Sequence, residues 1–191
     1  FQDGAFGATL ALAHSRNATQ GNHTILQVND EYGKIRFFGS DGNDFDGYGA
    51  EIVAKVESGI SNNSTPGRLE FHTTNSGTSA STEKLRITSD GKVAIGTTIV
   101  GHGSADDLTI DTSGGNTGIT LRSGTSSTGS IFFSDATSGT SQYAGYLEYH
   151  HAHNRFIIAT NSVEKVRIDS TGNTNIVGIL TANDFDYKTA N

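Results

Sequence analysis

The hydrophobic positions of this chain recur at every second residue. In KIRFF (34–38), Ile35 and Phe37 fall on one face. In GRLEFH (67–72), Leu69 and Phe71 point one way, and Arg68 and Glu70 the other. KLRIT (84–88) alternates Leu85 and Ile87 against Lys84 and Arg86, and KVAIG (92–96) sets out Val93 and Ile95 in the same rhythm. A period of two marks half-buried strands, because successive side chains leave opposite faces of a sheet. Asp90-Gly91 separates the last two segments and suits a hairpin turn, since glycine takes positive φ without steric cost. AEIVAKVE (50–57) reads as a strand through its β-branched residues, with an amphipathic helix as the alternative. No segment combines a helical period with caps. The expected fold is all-β.

The pattern also repeats. TEKLRITSDGKVAIG (82–96) returns as VEKVRIDSTGNTNIV (163–177), with Glu83/Glu164, Lys84/Lys165, Arg86/Arg167, Ile87/Ile168, Ser89/Ser170, Gly91/Gly172 and Ile95/Ile176 identical at an offset of 81 residues. GRLEFH from Gly67 matches GYLEYH from Gly145 at an offset of 78, and GKIRFF from Gly33 matches GSIFFS from Gly129 at 96. The fall from 96 to 78 reads as 18 extra residues in the first copy, within a loop at 39–66. Two β modules follow, at 1–98 and 107–180, with a Gly-rich polar linker at 99–106 and a C-terminal connector or tail at 181–191. A period near 80 is too long for solenoid coils of about 20–50 residues. Recurrence at fixed spacing assigns Glu83, Arg86 and Gly91, with Glu164, Arg167 and Gly172, to the scaffold. The charged pairs are expected to fix register by cross-strand or inter-chain ion pairing.

Composition narrows the picture. Only 34% of the 191 residues are hydrophobic, against about 45–50% apolar usage, glycine included, in ordinary globular chains. Disorder does not follow, because charged residues make up 17% and the apolar ones fall in alternating runs. Such a chain buries little alone, so its core is expected to be shared with identical copies. A net charge of −7 argues against nucleic acid, whose phosphates require clustered Lys and Arg. No apolar run approaches the ~20 residues of a membrane span, so no membrane insertion is expected. The chain has no Cys, which removes disulfides and thiolate metal sites. It has no Met either, so Phe1 is not a translational start.

At this point PGRLEFHTTNSGTSASTEKLRITSDGKVAIGTT (66–98) resembles the recurrent module of phage tail-fibre and related virion appendage proteins. In that module a Gly-Arg-aliphatic strand leads through a polar loop to Glu-(Arg/Lys)-aliphatic-Arg-Ile, a glycine turn and an Ile-Gly-Thr ending. AGYLEYHHAHNRFIIATNSVEKVRIDSTGN (144–173) is similar to a second form of the module, with Tyr-x-His-x-x-Asn at a hairpin, and GNTNIVGILTANDFD (172–186) resembles segments of cyanophage structural proteins. The resemblance spans about 33–187. It implies an elongated homotrimeric fibre in the virion, outside the cell, whose partners are its own copies, neighbouring fibre or baseplate proteins and a host surface glycan. Sandwich, prism and interwoven β remain open as architectures. A bacterial extracellular filament or adhesin subunit, and a glycan-cleaving tailspike, are the alternatives.

Candidate chemistry is sparse. SDGNDFDGYG (40–49) gathers Asp41, Asn43, Asp44 and Asp46 with the aromatics Phe45 and Tyr48, and is the expected place for ligand contact. As a calcium loop it fails the EF-hand pattern at Phe45 and has no distal Glu at the required spacing. HHAHN (150–154) makes His151 and His153 weak metal candidates if threefold symmetry gathers them; as hairpin-turn residues they face solvent. The expectation is no bound metal and no cofactor. Asp44, Asp46 and Glu51 form the dense acidic patch and Glu148 stands alone, while no Ser sits in a nucleophile-elbow pattern. No enzymatic role is expected. Tyr143, Phe185 and Tyr187 complete the aromatics placed near loops.

Overall fold

The computed structural model describes residues 7–112 and 114–181. Phe185, Tyr187 and the expected connector, apart from its first residue, lie outside them. The fold is all-β. The chain divides into two units between Gly118 and Ile119, each built on one sheet.

The first sheet runs in the order β1 (Glu31–Phe38), β2 (Tyr48–Val56), β3 (Gly67–Thr74), β4 (Ser81–Ile87), β5 (Val93–Ile95) and β6 (Leu108–Ile110). Its first five strands form an antiparallel meander, and β6 joins β5 in parallel. AEIVAKVE is therefore strand. The second sheet is also an antiparallel meander: β7 (Thr128–Phe133), β8 (Gly145–His150), β9 (Arg155–Thr160), β10 (Val163–Ile168) and β11 (Thr174–Ile176).

Strand β6 moves the boundary between the modules. The first unit continues past the expected linker at 99–106, because Leu108–Ile110 pairs with Val93–Ile95 and Lys92 Nζ reaches Asp106 Oδ2 at 2.7 Å. Residues 107–112 thus belong with the first sheet, although 107 was the expected start of the second module. A parallel partner needs a long crossover, which the Gly-rich stretch supplies.

Strand pairing corrects the repeat alignment as well. Ile35 pairs with Ile52, which pairs with Phe71, then Leu85, then Ile95. Ile131 pairs with Leu147, then Ile158, Val166 and Ile176. The equivalent strands are therefore β1/β7, β2/β8, β3/β9, β4/β10 and β5/β11. GYLEYH is the counterpart of β2, and its likeness to GRLEFH of β3 is an accident of two alternating strands opened by glycine. Loop 39–47, the β1–β2 connection, has a counterpart of similar length at 134–144 and is not an insertion. The extra length of the first sheet lies in the β2–β3 and β3–β4 connections, 57–66 and 75–80, which are reduced to 151–154 and 161–162 in the second.

The two faces of the first sheet differ in an unexpected direction. Residues paired directly across strands share a face. One face carries Arg36, Glu51, Val53, Lys55, Arg68, Glu70, His72, Glu83, Arg86 and Ala94, and it is the better buried: Glu70 and Val53 are each 1% exposed. Long charged side chains lie across one another there, their aliphatic stems covering Val53 and Ala94 while their heads pair. On the opposite face Ile52, Leu69, Phe71, Leu85 and Val93 are half-buried, while Ile35, Phe37, Ile87 and Ile95 are exposed, Phe37 at 54%. The second sheet follows it in part, since Phe132 on its charged-type face is exposed and the charged residues there are half-buried. Ile157 and Ala159 are buried on the charged-type face, while Ile131, Phe133, Phe156, Ile158, Ile168 and Ile176 are exposed on the other. Leu26, Val53, Val56, Ala94, Ile157 and Ala159 are the fully buried apolar residues among those described. Each chain alone has a thin core.

Candidate functional site

The repeated Glu-Lys-x-Arg element owes its geometry to a bulge. In a regular strand, residues three apart point to opposite faces. Between β3 and β4 the register slips at Phe71/His72, so that His72 pairs with Glu83 and Lys84 is left over. The slip brings Glu83 to the face of Arg86, and Arg86 donates from Nε and Nη2 to Glu83 at 2.6 and 2.7 Å. The second sheet slips at the equivalent place, between Glu164 and Val166, and Arg167 Nε lies 3.1 Å from Glu164 Oε1. These pairs close within one strand, across its bulge, and Arg86 Nη2 also lies 3.7 Å from Glu70 Oε1 of β3, a cross-strand pair of the kind expected. The following turn also recurs. Gly91 (φ 87°) donates to Thr88 O and Gly172 (φ 89°) to Asp169 O, at 3.0 and 3.1 Å.

Glu70 is the centre of the charged face, and nothing in the linear sequence singles it out. It accepts from Lys55 Nζ at 2.7 Å, Arg68 Nε at 2.6 Å and His72 Nε2 at 2.8 Å. Burial pushes its pKa up, but the hydrogen bonds from Lys55, Arg68 and His72 outweigh that and hold it at about 2. Arg68 also donates to Val56 O and Asn29 Oδ1, so each of its three guanidinium nitrogens has a partner. Glu70, His72 and Glu83 bring ligand-type atoms within 4.8 Å of one another. The surrounding Lys55, Arg68 and Arg86 already supply the positive charge that a cation would bring, so this cluster is an ion-pair network by construction.

Loop 39–47 lies beside loop 75–80, and the two border an open cleft lined by Asp41, Asp44, Asp46, Tyr48, Thr78 and Ser79 among others. The acidic groups there are largely turned onto the loop's own backbone. Asp41 Oδ1 accepts from Asn43 N and Asp44 N at 2.8 and 3.0 Å, which lowers its pKa, and Asp44 Oδ1 accepts from Asp46 N at 3.0 Å. Asn43 Nδ2 takes the second oxygen of Asp44 at 2.8 Å. Tyr48 packs edge-on against Phe38, with the Arg36 guanidinium 4.2 Å from its ring centre. Phe45 is the exposed ring, at 64%. Of the six expected contact residues, Asp41, Asp44, Asp46 and Tyr48 line the cleft, Tyr48 from the start of β2, while Asn43 and the exposed Phe45 lie on the loop outside its lining.

His151 and His153 lie in a single 3-10 turn between β8 and β9. Their rings have different neighbours: His151 meets Tyr149 edge-on at 5.0 Å, and His153 lies 4.6 Å from the ring of His150. Beside this turn, His153, Arg155, Arg167, Asp169, Asn173, Thr174 and Asn175 line a second cleft of about 390 Å³. Glu148, the isolated acid, accepts from Ser130 Oγ at 3.2 Å. Among the described residues, no helix is long and apolar enough to cross a membrane.

No family model matches the chain, and no curated protein matches it. Solved structures do. The carboxy-terminal domain of the bacteriophage T5 L-shaped tail fibre is 12% identical, with a TM-score of 0.46 over 98% of this chain and 91% of that one. A structure of the same domain with its intramolecular chaperone domain is 13% identical, with a TM-score of 0.43 over 100% of this chain and 68% of that one.

Proposed function

We propose that this chain is a structural segment of a virion appendage of the tail-fibre kind, in which three copies close their apolar faces around a common axis. One observation carries the reading: exposed apolar residues gather on the equivalent face of both sheets, Ile35, Phe37, Ile87 and Ile95 on the first and Ile131, Phe133, Ile158, Ile168 and Ile176 on the second. Exposed apolar residues gathered on one face mark an interaction surface, and their repetition in both units suits a partner that presents the same face twice. Identical copies meet that requirement without a second gene product, and cyclic closure leaves no open end for polymerisation. The sequence resemblance of 66–98 and 144–173 to virion appendage modules supports the same assignment. In this reading the segment projects toward the host, abuts neighbouring fibre or baseplate proteins at its ends, and touches surface polysaccharide through Asp41, Asn43, Asp44, Phe45, Asp46 and Tyr48, with Phe45 stacking on a sugar face.

Negative-stain electron microscopy of the purified chain, together with a glycan array, tests this reading. Discrete rods of uniform length, and array hits that Phe45→Ala removes, are expected. Open-ended polymers would instead indicate a filament subunit, and release of short saccharides from capsular polysaccharide would indicate a depolymerase.

A further inference from the structure

Each sheet is preceded by a short segment with a strand's pattern and no strand partner. ATLALA (8–13) sets Leu10 and Leu12 against Thr9 and Ala11, and ITLRS (119–123) sets Ile119 and Leu121 against Thr120 and Arg122. Neither segment joins a sheet. Among the described residues, no backbone N–H or C=O of 8–13 or 119–123 takes part in a hydrogen bond. Their apolar side chains are exposed, Leu10 at 79% and Ile119 at 66%.

Both arms are seated at the same place. Gly33 of β1 and Gly129 of β7 are equivalent, each two residues before the paired isoleucines Ile35 and Ile131, so a Cβ on either would point to the apolar face. At Gly33 that Cβ would stand 2.6 Å from Leu12 Cβ, and at Gly129 it would stand 3.8 Å from Leu121 Cβ. Glycine at 33 is what lets Leu12 come so close. Leu12 also borders a shallow cleft with Ala54 and Leu69 of the same face. Each arm therefore crosses the face whose exposed apolar residues lack cover, with its own peptide groups unpaired. Covering that face withdraws water from the arm, and buried peptide groups then require partners. Ser123 Oγ, at the end of the second arm, is already buried without one.

Each unit also carries one edge that fits. β1 and β7 are end strands of their sheets, eight and six residues long, whereas β6 and β11 at the other ends have three. A free edge of that length is a template for an added strand. An arm seated on the face of its own sheet is kept from that sheet's edge, so the edge open to it belongs to another copy. One arm and one long edge per unit close a cyclic assembly with none left over.

We infer that arms 8–13 and 119–123 add as strands to the free edges of β1 and β7 in a second copy of this chain. The inference rests on the shared-face reading above, and hydrogen exchange of the intact protein, with native mass spectrometry of the same sample, tests the two separately. In the assembled protein the arm amides are expected to exchange roughly hundredfold or more slower than in an unstructured peptide. Ala11→Pro/Thr120→Pro removes one donor from each arm. It is expected to speed exchange at the alternate amides of β1 and β7 that face away from β2 and β8, while β3 and β9 keep their protection. Leu12→Ser/Leu121→Ser leaves every amide in place, loosens only the seats, and is expected to give the same pattern. Arms that exchange at unstructured rates within an assembled protein would overturn the inference and leave the shared faces standing. So would edge amides that keep their protection in both variants. A monomeric wild type would overturn both readings.

Discussion

At Glu70, burial and pairing pull in opposite directions, and pairing wins. Its pKa is held at about 2, below the ordinary 4.5, so the folded state binds its proton less readily than the unfolded chain does. The stabilisation is complete above pH 4.5 and is lost as the pH falls through that value toward 2. Glu70→Gln leaves the buried Arg68 and the half-buried Lys55 without their counter-charge, and costs about 3 kcal/mol at neutral pH. Calorimetric Tm measured against pH is expected to fall for wild type between those limits, while the gap between wild type and Glu70→Gln narrows toward pH 2. A gap that stays constant across the range would show that the Glu70 charge does not contribute. None of this was legible in the sequence. A Glu between Leu69 and Phe71 reads as solvent-facing in an alternating strand, and its burial arises from Arg68 and His72 of its own strand together with Lys55 of β2 and Arg86 of β4.

The turn between β4 and β5 and its copy between β10 and β11 separate conformational from steric demand. Gly91 and Gly172 have positive φ and open space where a Cβ would stand. Replacing either by Ala strains only the backbone, at about 1–2 kcal/mol. Gly96, where the chain leaves β5 for the crossover, also has positive φ, and an added Cβ would meet Asp111 O at 2.2 Å. Gly96→Ala is therefore expected to cost about 3 kcal/mol or more, so urea unfolding should rank it well below Gly91→Ala. Similar midpoints for the two would contradict the close contact. The strands and this turn were readable because alternation and Asp-Gly are local signals. Register is not local. Leu and Glu fall at the same places in GRLEFH and GYLEYH, yet β3 and β8 occupy different places in their meanders. The same blindness made loop 39–47 look like an insertion and hid β6, whose three residues carry no period and find their place only by pairing with β5.

For the whole molecule, the central claim is that one chain is an incomplete folding unit. The low apolar content pointed there, and the exposed apolar residues mark the place: Ile35 and Phe37 on one sheet, and Ile131 and Phe133 on the other, lie on the faces opposite those that hold the buried Val53, Ala94, Ile157 and Ala159. Covering these faces with copies of themselves removes apolar surface from water at about 25 cal/mol per Å² and makes folding inseparable from association. The number three comes from the resemblance, not from the sheet geometry. It is also the number most directly measured. Native mass spectrometry of the purified chain at micromolar concentration, with Phe37→Asp/Phe133→Asp beside it, is the decisive measurement. Three copies of the 20.1 kDa chain for wild type, and loss of that assembly in the double variant, are predicted. A folded wild-type monomer at that concentration would contradict the account.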